Sequence, residues 1–401
     1  MLTFRLRSGQ ARRLLWKSQN MIENIKQIVL TIRDILIPFL PKLLIRMLIG
    51  KGEYVFLAHP IELLPDIARK YPFANNSPKW LLKGISNLHP PIILSKITGY
   101  KGRDGRVVDG WVVFCSLSTR MMLLNEKRAR TKILKAAKFS EKLNAKLLGL
   151  GAFVPIVTDH GAFLQGKIKM SITNGDAFSA VIAAKNVIKA AHLAGLDKEK
   201  VKLAVVGAAG FVGSMSSKLL IKYFSDITLV DKNKEGVKAL GEELKKRSSN
   251  KNIVVSFDIN DIKNADIVLT VTNTPGVIVR SKHLKPKSIV IDAAQPRNVS
   301  VKVPYEREDI VVIESGVAEV DGLNVNCDFG LRKENEVYSC FAELLLLCWM
   351  REYNDDHIDR ISESYVLKLW DEMGKAGIRT ADFRNATGFI NKDKFDKVFA
   401  K

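Results

Sequence analysis

The stretch that decides the fold of this chain lies near its middle and reads Val201-Lys202-Leu203-Ala204-Val205-Val206-Gly207-Ala208-Ala209-Gly210-Phe211-Val212-Gly213. Its first six residues are a run typical of a buried strand, and apolar residues at helical spacing follow over 214–224. In a strand–turn–helix unit, the first glycine allows a sharp turn, the second allows a pyrophosphate to approach, and the third lets helix and sheet pack closely. The stretch therefore predicts a dinucleotide-binding unit with the phosphates at the helix N-terminus, where unpaired N–H groups favour negative charge.

A second apolar run completes the predicted nucleotide unit. Asp226–Val230 has the pattern of a strand and leads into Asp231, where a carboxylate can reach the adenosine ribose. Further strands are predicted at 253–257, 265–271, 288–291 and 310–313. Open α/β sheets bind ligands at the carboxyl ends of their strands, so the loops there belong to the predicted site. The residues predicted to bind the cofactor are Gly207, Ala208, Ala209, Gly210, Phe211, Val212, Gly213, Asp231, Lys232, Thr272, Asn273 and Gly316.

The predicted fold class is α/β, with a Rossmann-like doubly wound parallel sheet, a smaller N-terminal α/β domain and a C-terminal helical segment. The predicted divisions are a basic extension at 1–50, a substrate domain at 51–170, the dinucleotide-binding domain at 171–335 and the helical segment at 336–401. Within the substrate domain, the pattern predicts a helix at 61–71, a hairpin from 92–98 and 106–115, a basic helix at 125–148 and a glycine-cornered strand at 149–157.

The composition excludes a disordered chain and favours acidic partners. With 401 residues, of which 47% are hydrophobic, the chain can bury a sizeable core. Its net charge of +21 favours lipid headgroups, nucleic acid or an acidic carrier protein, and charge alone does not choose among them. The four cysteines, Cys115, Cys327, Cys340 and Cys348, lack the CxxC spacing and the histidine pair of a zinc site. We therefore predict no metal centre and a reducing, cytoplasmic location.

The first 50 residues carry nine Lys or Arg against one Glu and one Asp. Apolar residues recur every three or four positions from Leu15 to Leu36, so a helix here would have one apolar and one basic face. Pro38 and Pro41 end that helix before the apolar run 43–49. This pattern favours a segment that lies in the interface of the inner membrane face. Packing on the protein itself or on a second subunit, and removal as an Arg-rich targeting peptide, are the alternatives.

A polar bend at 169–175 precedes a predicted helix at 177–194. Asn174 or Asp176 could cap that helix, and the bend could also face the nicotinamide and bind the substrate. Thr173 and Asn174 are therefore predicted catalytic residues. His160, a little earlier in the chain, is a further acid or base candidate, although a lone loop histidine is more often solvated.

The segment Ser339-Cys340-Phe341-Ala342-Glu343 opens a strongly apolar helix that is predicted to reach Met350. A cysteine at a helix N-terminus lies among unpaired N–H groups at the positive end of the dipole, which lowers its pKa. We therefore predict Cys340 as a nucleophile. The alternative is a buried structural thiol, which is the role we expect for Cys348.

Together these residues resemble the long-chain fatty acyl-ACP reductases, which form fatty aldehydes. The most specific similarity is Cys340-Phe341-Ala342-Glu343 followed by Leu344-Leu345-Leu346, which resembles the segment around that family's acyl-accepting cysteine. Also similar in order and spacing are 206–214, Thr173-Asn174-Gly175, Ile291-Asp292 with Pro296, and Gly316-Val317 with Glu319. The resemblance extends from His59 to Phe383, nearly the whole chain beyond the basic extension.

This chain departs from the family at three places. The family uses NADPH and tends to be neutral or basic where Asp231 stands, and a carboxylate there favours NADH because it repels a 2′-phosphate. Lys232 and Lys234 could still receive that phosphate. Leu117-Ser118-Thr119 replaces a proline-acidic stretch after Cys115, and the basic extension is additional.

The resemblance implies reduction of a long-chain fatty acyl thioester to an aldehyde. The Cys340 thiolate would displace the carrier thiol, and hydride from NADPH or NADH would then release the aldehyde. The backbone around Ser339 and the amides from Thr173 to Gly175 would supply oxyanion donors. The expected partners are an acidic acyl carrier protein or coenzyme A and a membrane surface, with no nucleic acid.

Three other functions fit parts of the pattern. A quinate/shikimate-type dehydrogenase shares the two-domain plan and the polar bend, but it reduces a ketone with a lysine base and needs no thiol. A tRNA-dependent thioester reductase would use a cysteine, for which Cys115 is the candidate. A non-enzymatic, membrane-bound dinucleotide sensor would bind cofactor without turnover.

Overall fold

The structure is a computed structural model that describes residues 32–33, 36–60, 66, 75, 77–274, 276–294, 296–358 and 361–400. Most of the predicted N-terminal amphipathic helix and of the helix predicted at 61–71 lies outside these residues. In the part of the chain that the structure describes, no helix is both long enough and apolar enough to cross a membrane.

A five-stranded sheet forms the N-terminal half of the fold. In spatial order its strands are β2 (Ile92–Ile97), β3 (Gly110–Phe114), β1 (Tyr54–Ala58), β4 (Leu147–Leu150) and β5 (Ser171–Thr173). Strands β2 and β3 pair antiparallel and form the predicted hairpin, and the other pairs are parallel. The parallel strands are buried on both faces and are therefore almost continuously apolar.

A layer of helices covers the outer face of this sheet. Its helices are α1 (Lys42–Ile49), α2 (Lys79–Leu88), α3 (Thr119–Leu124), α4 (Glu126–Lys142) and α5 (Val154–Val157), with 3₁₀ turns at Ile37–Phe39 and Asp159–Leu164. Ile45 of α1, Met122 of α3 and Ile133 of α4 share one core with Val55 and Val113 of the sheet. Helix α4 has a basic outer face, so it is amphipathic as predicted.

A six-stranded parallel sheet forms the second half. Its spatial order is β11 (Val311–Glu314), β10 (Ile289–Asp292), β9 (Ile267–Thr270), β6 (Lys202–Val206), β7 (Asp226–Val230) and β8 (Asn252–Ser256). This is the order of a doubly wound dinucleotide-binding sheet, in which the connections reverse between β6 and β9. Helix α6 (Asp176–Leu193) connects β5 of the first sheet to β6 of this one. The other helices of this half are α7 (Phe211–Leu220), α8 (Lys234–Arg247) and α9 (Val303–Glu306), with 3₁₀ turns at Ile259–Asn264 and Ser281–His283. The predicted fold class is confirmed.

The C-terminal part joins the two sheets. Its elements are β12 (Val317–Val320), β13 (Glu336–Tyr338), α10 (Ser339–Met350), α11 (Glu363–Glu372), β14 (Ile378–Thr380), β15 (Arg384–Asn385), β16 (Gly388–Phe389) and α12 (Lys392–Phe399). Helix α10 packs against α6, β1 and β4, so it lies between the halves and is apolar on nearly every side.

Some predicted bounds are wrong. Helix α4 ends at Lys142, and Leu147, which lies within the predicted helix 125–148, begins strand β4. The predicted strand 149–157 is the end of β4 followed by α5, because short, fully buried strands lack the alternation that separates strand from helix. Strand β5 pairs with β4 and therefore belongs to the first sheet, while β12 pairs with β13 and β14 outside the dinucleotide-binding sheet.

Candidate active site

A cavity of about 1160 Å³ lies where the carboxyl ends of both sheets face each other. Apolar side chains of the first half line one part of it, namely Phe56, Leu94, Phe114, Leu150, Phe153 and Ile156. The second half contributes Val212, Thr272, Asn273 and Gly316, four of the residues predicted to bind the cofactor. Cys340 and Ser339 line the same cavity. The predicted nucleophile and part of the predicted cofactor site therefore share one space.

The glycine turn has the geometry that a dinucleotide needs. Gly207 has φ +88°, and a Cβ at Gly213 would lie 2.1 Å from the Gly207 carbonyl oxygen, so side chains are excluded at both positions. Gly210 precedes the first turn of α7 and is exposed, and a Cβ there would meet nothing nearer than 3.5 Å. The backbone is thus open where a pyrophosphate would approach the helix N-terminus.

Asp231 lies against this turn. Its carboxylate accepts hydrogen bonds from the backbone N–H of Ala209 at 2.9 Å and of Asn233 at 2.9 Å. The negative charge is therefore fixed beside the turn, where it suits a ribose hydroxyl better than a 2′-phosphate. Lys232 and Lys234 are exposed, and Lys234 Nζ lies 5.4 Å from the ring centre of Phe257.

The loop that follows β10 is organised by one buried carboxylate. Asp292 accepts hydrogen bonds from the Thr270 hydroxyl at 2.7 Å and from the N–H groups of Asn298 at 3.0 Å and Val299 at 2.8 Å. Arg297 of this loop lines the cavity and pairs with Glu314 at 2.9 Å. The loop therefore has a fixed shape where it borders the cofactor space.

Cys340 is the second residue of α10 and is held against the polar bend. A Cβ at Gly175 would lie 2.2 Å from both Cα and Cβ of Cys340, so only glycine permits this contact. Gly175 has φ +77°, a conformation that glycine adopts without strain. The close packing of Gly175 fixes the start of α10 beside the start of α6.

Glu343 and Thr173 stabilise the contact between Gly175 and Cys340 through buried hydrogen bonds. The Thr173 hydroxyl donates to Glu343 at 2.6 Å, and the N–H of Phe178 donates to the same carboxylate at 2.7 Å. Burial raises the pKa of Glu343 to about 7. Thr173 is fully buried and does not line the cavity, so its side chain positions the bend, and a catalytic role for Thr173 stays a prediction.

The predicted lowering of the Cys340 pKa is wrong. Burial raises the pKa of the thiol to about 12, and the Glu343 and Asp176 carboxylates act in the same direction. Hydrogen bonds from the backbone N–H groups of Ala152 and Phe341 oppose this effect without outweighing it. Desolvation of the thiolate therefore exceeds the stabilisation by the helix start. No local sequence pattern singles out Ala152, a non-glycine residue with φ +52°.

Two of the predicted oxyanion donors are already engaged, namely the amide of Gly175 and the amide of Ser339, which donates to the Gly316 carbonyl oxygen at 2.8 Å. The N–H of Gly175 donates to the Thr173 hydroxyl at 3.1 Å, and the N–H of Asp176 donates to the Asn174 side chain at 3.1 Å. The Asn174 side chain thus accepts the N–H of the first residue of α6, although the N-cap residue of that helix is Gly175, and Asn174 also lines the cavity. The N–H groups of Ala152 and Phe341 point to the Cys340 sulfur.

His160 lies in the same cavity and is paired. Its Nδ1 is 3.2 Å from the Asp176 carboxylate, and this hydrogen bond raises the pKa of the imidazole. Asp159, His160 and Gly161 all have positive φ, at 50°, 55° and 104°. Two consecutive non-glycine residues in this region cost about 1–3 kcal/mol each, and such strain is concentrated at functional sites. Asp176 directly follows Gly175, so the pair lies beside Cys340.

The other three cysteines differ in whether they line the cavity. Cys115 and Cys348 are buried and do not line the cavity, as we expected for Cys348. Cys327, which sequence analysis did not single out, does line it and accepts a hydrogen bond from Ser95 at 3.3 Å. His59 also lines it, but its Nε2 accepts the N–H of Phe153 at 2.8 Å, and burial lowers its pKa to about 4. Across the described residues, no three His, Cys, Asp or Glu side chains are grouped to hold a metal ion.

The chain is similar to a dehydrogenase family and to a reductase. The family model for shikimate / quinate 5-dehydrogenase matches residues 168–314, the dinucleotide-binding part. The long-chain acyl-[acyl-carrier-protein] reductase of Synechococcus elongatus is 27% identical over 275 residues, which cover 64% of this chain and 77% of that protein. The aminotransferase PigE of a Serratia species is 21% identical over 310 residues, which cover 74% of this chain but only 35% of that larger protein.

Solved structures match smaller portions. The A chain of dipicolinate synthase from Bacillus subtilis is 15% identical, with a TM-score of 0.30 over 42% of this chain and 56% of that one. The nucleotide-binding domain of glutamyl-tRNA reductase from Thermoplasma volcanium is 22% identical, with a TM-score of 0.23 over 33% of this chain and 84% of that one.

The doubly wound sheet, the open glycine turn and the matched nucleotide-binding family together support an NAD(P)-dependent oxidoreductase. The residues present fit a nicotinamide dinucleotide, with Gly207, Gly210 and Asp231 to hold its phosphates and ribose. The chain is similar to the long-chain acyl-[acyl-carrier-protein] reductase over 64% of its length, which confirms the resemblance seen in its sequence.

Proposed function

We propose that this protein reduces a long-chain fatty acyl thioester to a fatty aldehyde through an acyl-enzyme on Cys340. The observation that carries the proposal is the shared cavity, which brings Cys340, the edge of the dinucleotide site and an apolar lining into one space. A nucleophile, a hydride donor and a long apolar chain all have to meet for this reaction.

The first step is acyl transfer. The Cys340 sulfur attacks the thioester carbonyl, a new carbon–sulfur bond forms, and the bond to the carrier sulfur breaks. The N–H groups of Ala152 and Phe341 are placed to stabilise the oxyanion that develops during attack. Phe56 stacks on Phe341 with ring centres 4.4 Å apart and forms an apolar wall next to the nucleophile.

A thiol with a raised pKa needs a proton acceptor. His160, hydrogen-bonded to Asp176, is our candidate because neutral imidazole can donate from Nδ1 to the carboxylate and accept at Nε2. The histidine takes the Cys340 proton and then returns a proton to the departing carrier thiolate. His59 is a poor acceptor, because its Nε2 lone pair already binds Phe153.

The second step releases the aldehyde. A reduced nicotinamide nucleotide, when bound, supplies hydride to the carbonyl carbon of the acyl-enzyme. The thiohemiacetal alkoxide that results on Cys340 would re-form a carbonyl as its carbon–sulfur bond breaks, and the departing Cys340 thiolate would take a proton from solvent to regenerate the thiol. Asp231 favours NADH as the donor. The substrate's carrier is an acidic acyl carrier protein or coenzyme A, both of which suit a chain of net charge +21.

The matched dehydrogenase family raises quinate/shikimate-type activity as the second candidate. That chemistry uses a lysine base, and the described residues that line the cavity include no lysine. A thioester reductase with Cys115 as nucleophile is less favoured, because Cys115 is buried outside the cavity lining.

The test compares Cys340→Ala with Cys327→Ala, the other cysteine in the cavity. Each variant is incubated with a radiolabelled acyl thioester, then with NADH or NADPH, and aldehyde is measured by mass spectrometry. We expect Cys340→Ala to lose both label and aldehyde while it still binds cofactor, and Cys327→Ala to keep both. Label retained by Cys340→Ala, or oxidation of shikimate by the wild-type protein, would refute the proposal.

A further inference from the structure

We propose that helices α1, α2 and α3 form a docking surface for an anionic lipid bilayer, next to the cavity that contains Cys340. We call this set of helices the basic apolar surface. Their ranges are Lys42–Ile49, Lys79–Leu88 and Thr119–Leu124. The proposal concerns the folded α/β domain and does not depend on the residues before Ile32.

Large apolar side chains of all three helices face away from the core. The exposed fractions are 74% for Met47, 75% for Trp80, 86% for Leu88, 59% for Leu123 and 69% for Leu124. Single exposed apolar residues are ordinary on a protein surface, whereas a group of them on helices of one layer marks an interaction site. Tryptophan in such a group is typical of the membrane interface, where its ring is apolar and its N–H stays hydrated.

The three helices lie on one side of the molecule. Ile45 of α1 and Met122 of α3 are buried in the core beneath α4, on the outer face of the five-stranded sheet. Helix α2 is fixed to the same layer, because Lys132 of α4 donates to the carbonyl oxygens of Ser86 at 2.9 Å and His89 at 2.7 Å. The basic apolar surface is therefore part of a single helical layer.

The charge of this surface selects the partner. The three helices contain five cations and no Asp or Glu, and the cations are Lys42, Arg46, Lys79, Lys83 and Arg120. Basic side chains interleaved with Trp, Leu and Met form the pattern of helices that lie in an anionic membrane interface. A second copy of the chain would bring the same cations against each other, which makes a self-complementary dimer through this surface unfavourable.

The surface adjoins the candidate active site. Thr119, the first residue of α3, lines the cavity, and His59, which follows β1, lines it at the same end of the sheet. The choice of lipid rests partly on the proposed function, since long acyl chains and fatty aldehydes partition into bilayers. Docking here would bring the apolar part of the cavity to the membrane, so that the product could leave without crossing water.

The experiment measures co-sedimentation of the full-length protein with vesicles. One set contains three parts phosphatidylcholine to one part phosphatidylglycerol, and the other contains phosphatidylcholine alone. The test variant is Trp80→Glu/Leu124→Glu. The matched control is Val254→Glu/Val301→Glu, which alters two exposed apolar residues outside the basic apolar surface. Aldehyde formation from a soluble acyl-CoA, without vesicles, is measured for both.

We expect the wild type and the control to bind the anionic vesicles, and the test variant to bind them at least tenfold more weakly with unchanged soluble activity. Equal binding by the test variant would overturn the proposal, as would equal binding of the wild type to neutral vesicles. A change of oligomeric mass in the test variant would assign the surface to a second copy and overturn it as well. Vesicle binding without aldehyde from any variant would refute the proposed function and leave the docking surface intact.

Discussion

Two helices begin at the same cavity, and they begin in opposite environments. Helix α7 starts after Gly210, which is exposed and open to a ligand. Helix α10 starts at Ser339, with Cys340 pressed against Gly175 and partly buried. Both helix starts carry the positive end of a helix dipole. The N-terminus of α7, which we call the open start, is suited to binding phosphate. At the N-terminus of α10, which we call the enclosed start, burial raises the pKa of the Cys340 thiol. Desolvation therefore decides whether a helix N-terminus stabilises a negative charge.

The largest predicted effect tests the enclosed start directly. Because the pKa of Cys340 is raised to about 12, its thiolate fraction should grow tenfold per pH unit throughout the neutral and mildly alkaline range. Iodoacetamide alkylation of Cys340 should therefore accelerate by roughly 10³-fold from pH 7 to 10 without a plateau. Quantitative mass spectrometry of the Cys340 peptide measures this rate. A plateau below pH 9 would show that the helix dipole prevails over burial after all.

The next prediction concerns the proton acceptor that compensates for burial. His160→Gln should slow acylation of Cys340 at pH 7 by roughly 10²-fold, the usual contribution of a positioned base. His160 must be neutral to accept a proton, and its pKa is raised by Asp176, so wild-type acylation should rise with pH through that raised value. Asp176→Asn should move this rise to lower pH. An acylation pH profile measures both, and an unchanged profile in His160→Gln would remove the histidine from the mechanism.

The open start is tested by Gly210→Asp. The new side chain would enter free space, so the fold should survive, but its charge should repel the pyrophosphate. We expect cofactor binding to weaken by about 2 kcal/mol, roughly thirtyfold, while alkylation of Cys340 is unchanged. Isothermal titration with NADH measures the loss, and the neutral Gly210→Asn is the matched control. Equal losses in the two variants would point to shape rather than charge.

The smallest expected effect is on cofactor choice. Asp231→Asn removes the charge beside the glycine turn and leaves a side chain of similar shape. NADH should bind about tenfold more weakly, because hydrogen bonds to a charged group contribute about 1.5–3 kcal/mol, and NADPH should gain. Fluorescence titration with both nucleotides measures the ratio. A wild-type protein that already prefers NADPH would show that Lys232 and Lys234 outweigh Asp231.

Local patterns predicted the open half of the site well and the enclosed half poorly. The strand before Gly207, the strand before Asp231 and the start of α7 all follow from residues within about 30 positions. Cys340 was predicted as a nucleophile from its place at a helix start, and its pKa was predicted in the wrong direction. Thr173 was predicted to face the substrate, but its partner, Glu343, lies 170 positions away. A local sequence pattern cannot predict a hydrogen bond between residues so far apart in the chain.

By itself, the sequence determined the α/β class, the glycine turn and the position of a cysteine at a helix start, because each depends on periodicity or on the conformational freedom of glycine over a few residues. Only the tertiary structure decided that Gly175 contacts Cys340, that His160 and Asp176 pair beside it, and that the thiol is desolvated. The physical reason is that burial is a property of the assembled halves. The electrostatic cost of a charge depends on what surrounds it in space, and neighbours in space come from distant parts of the chain.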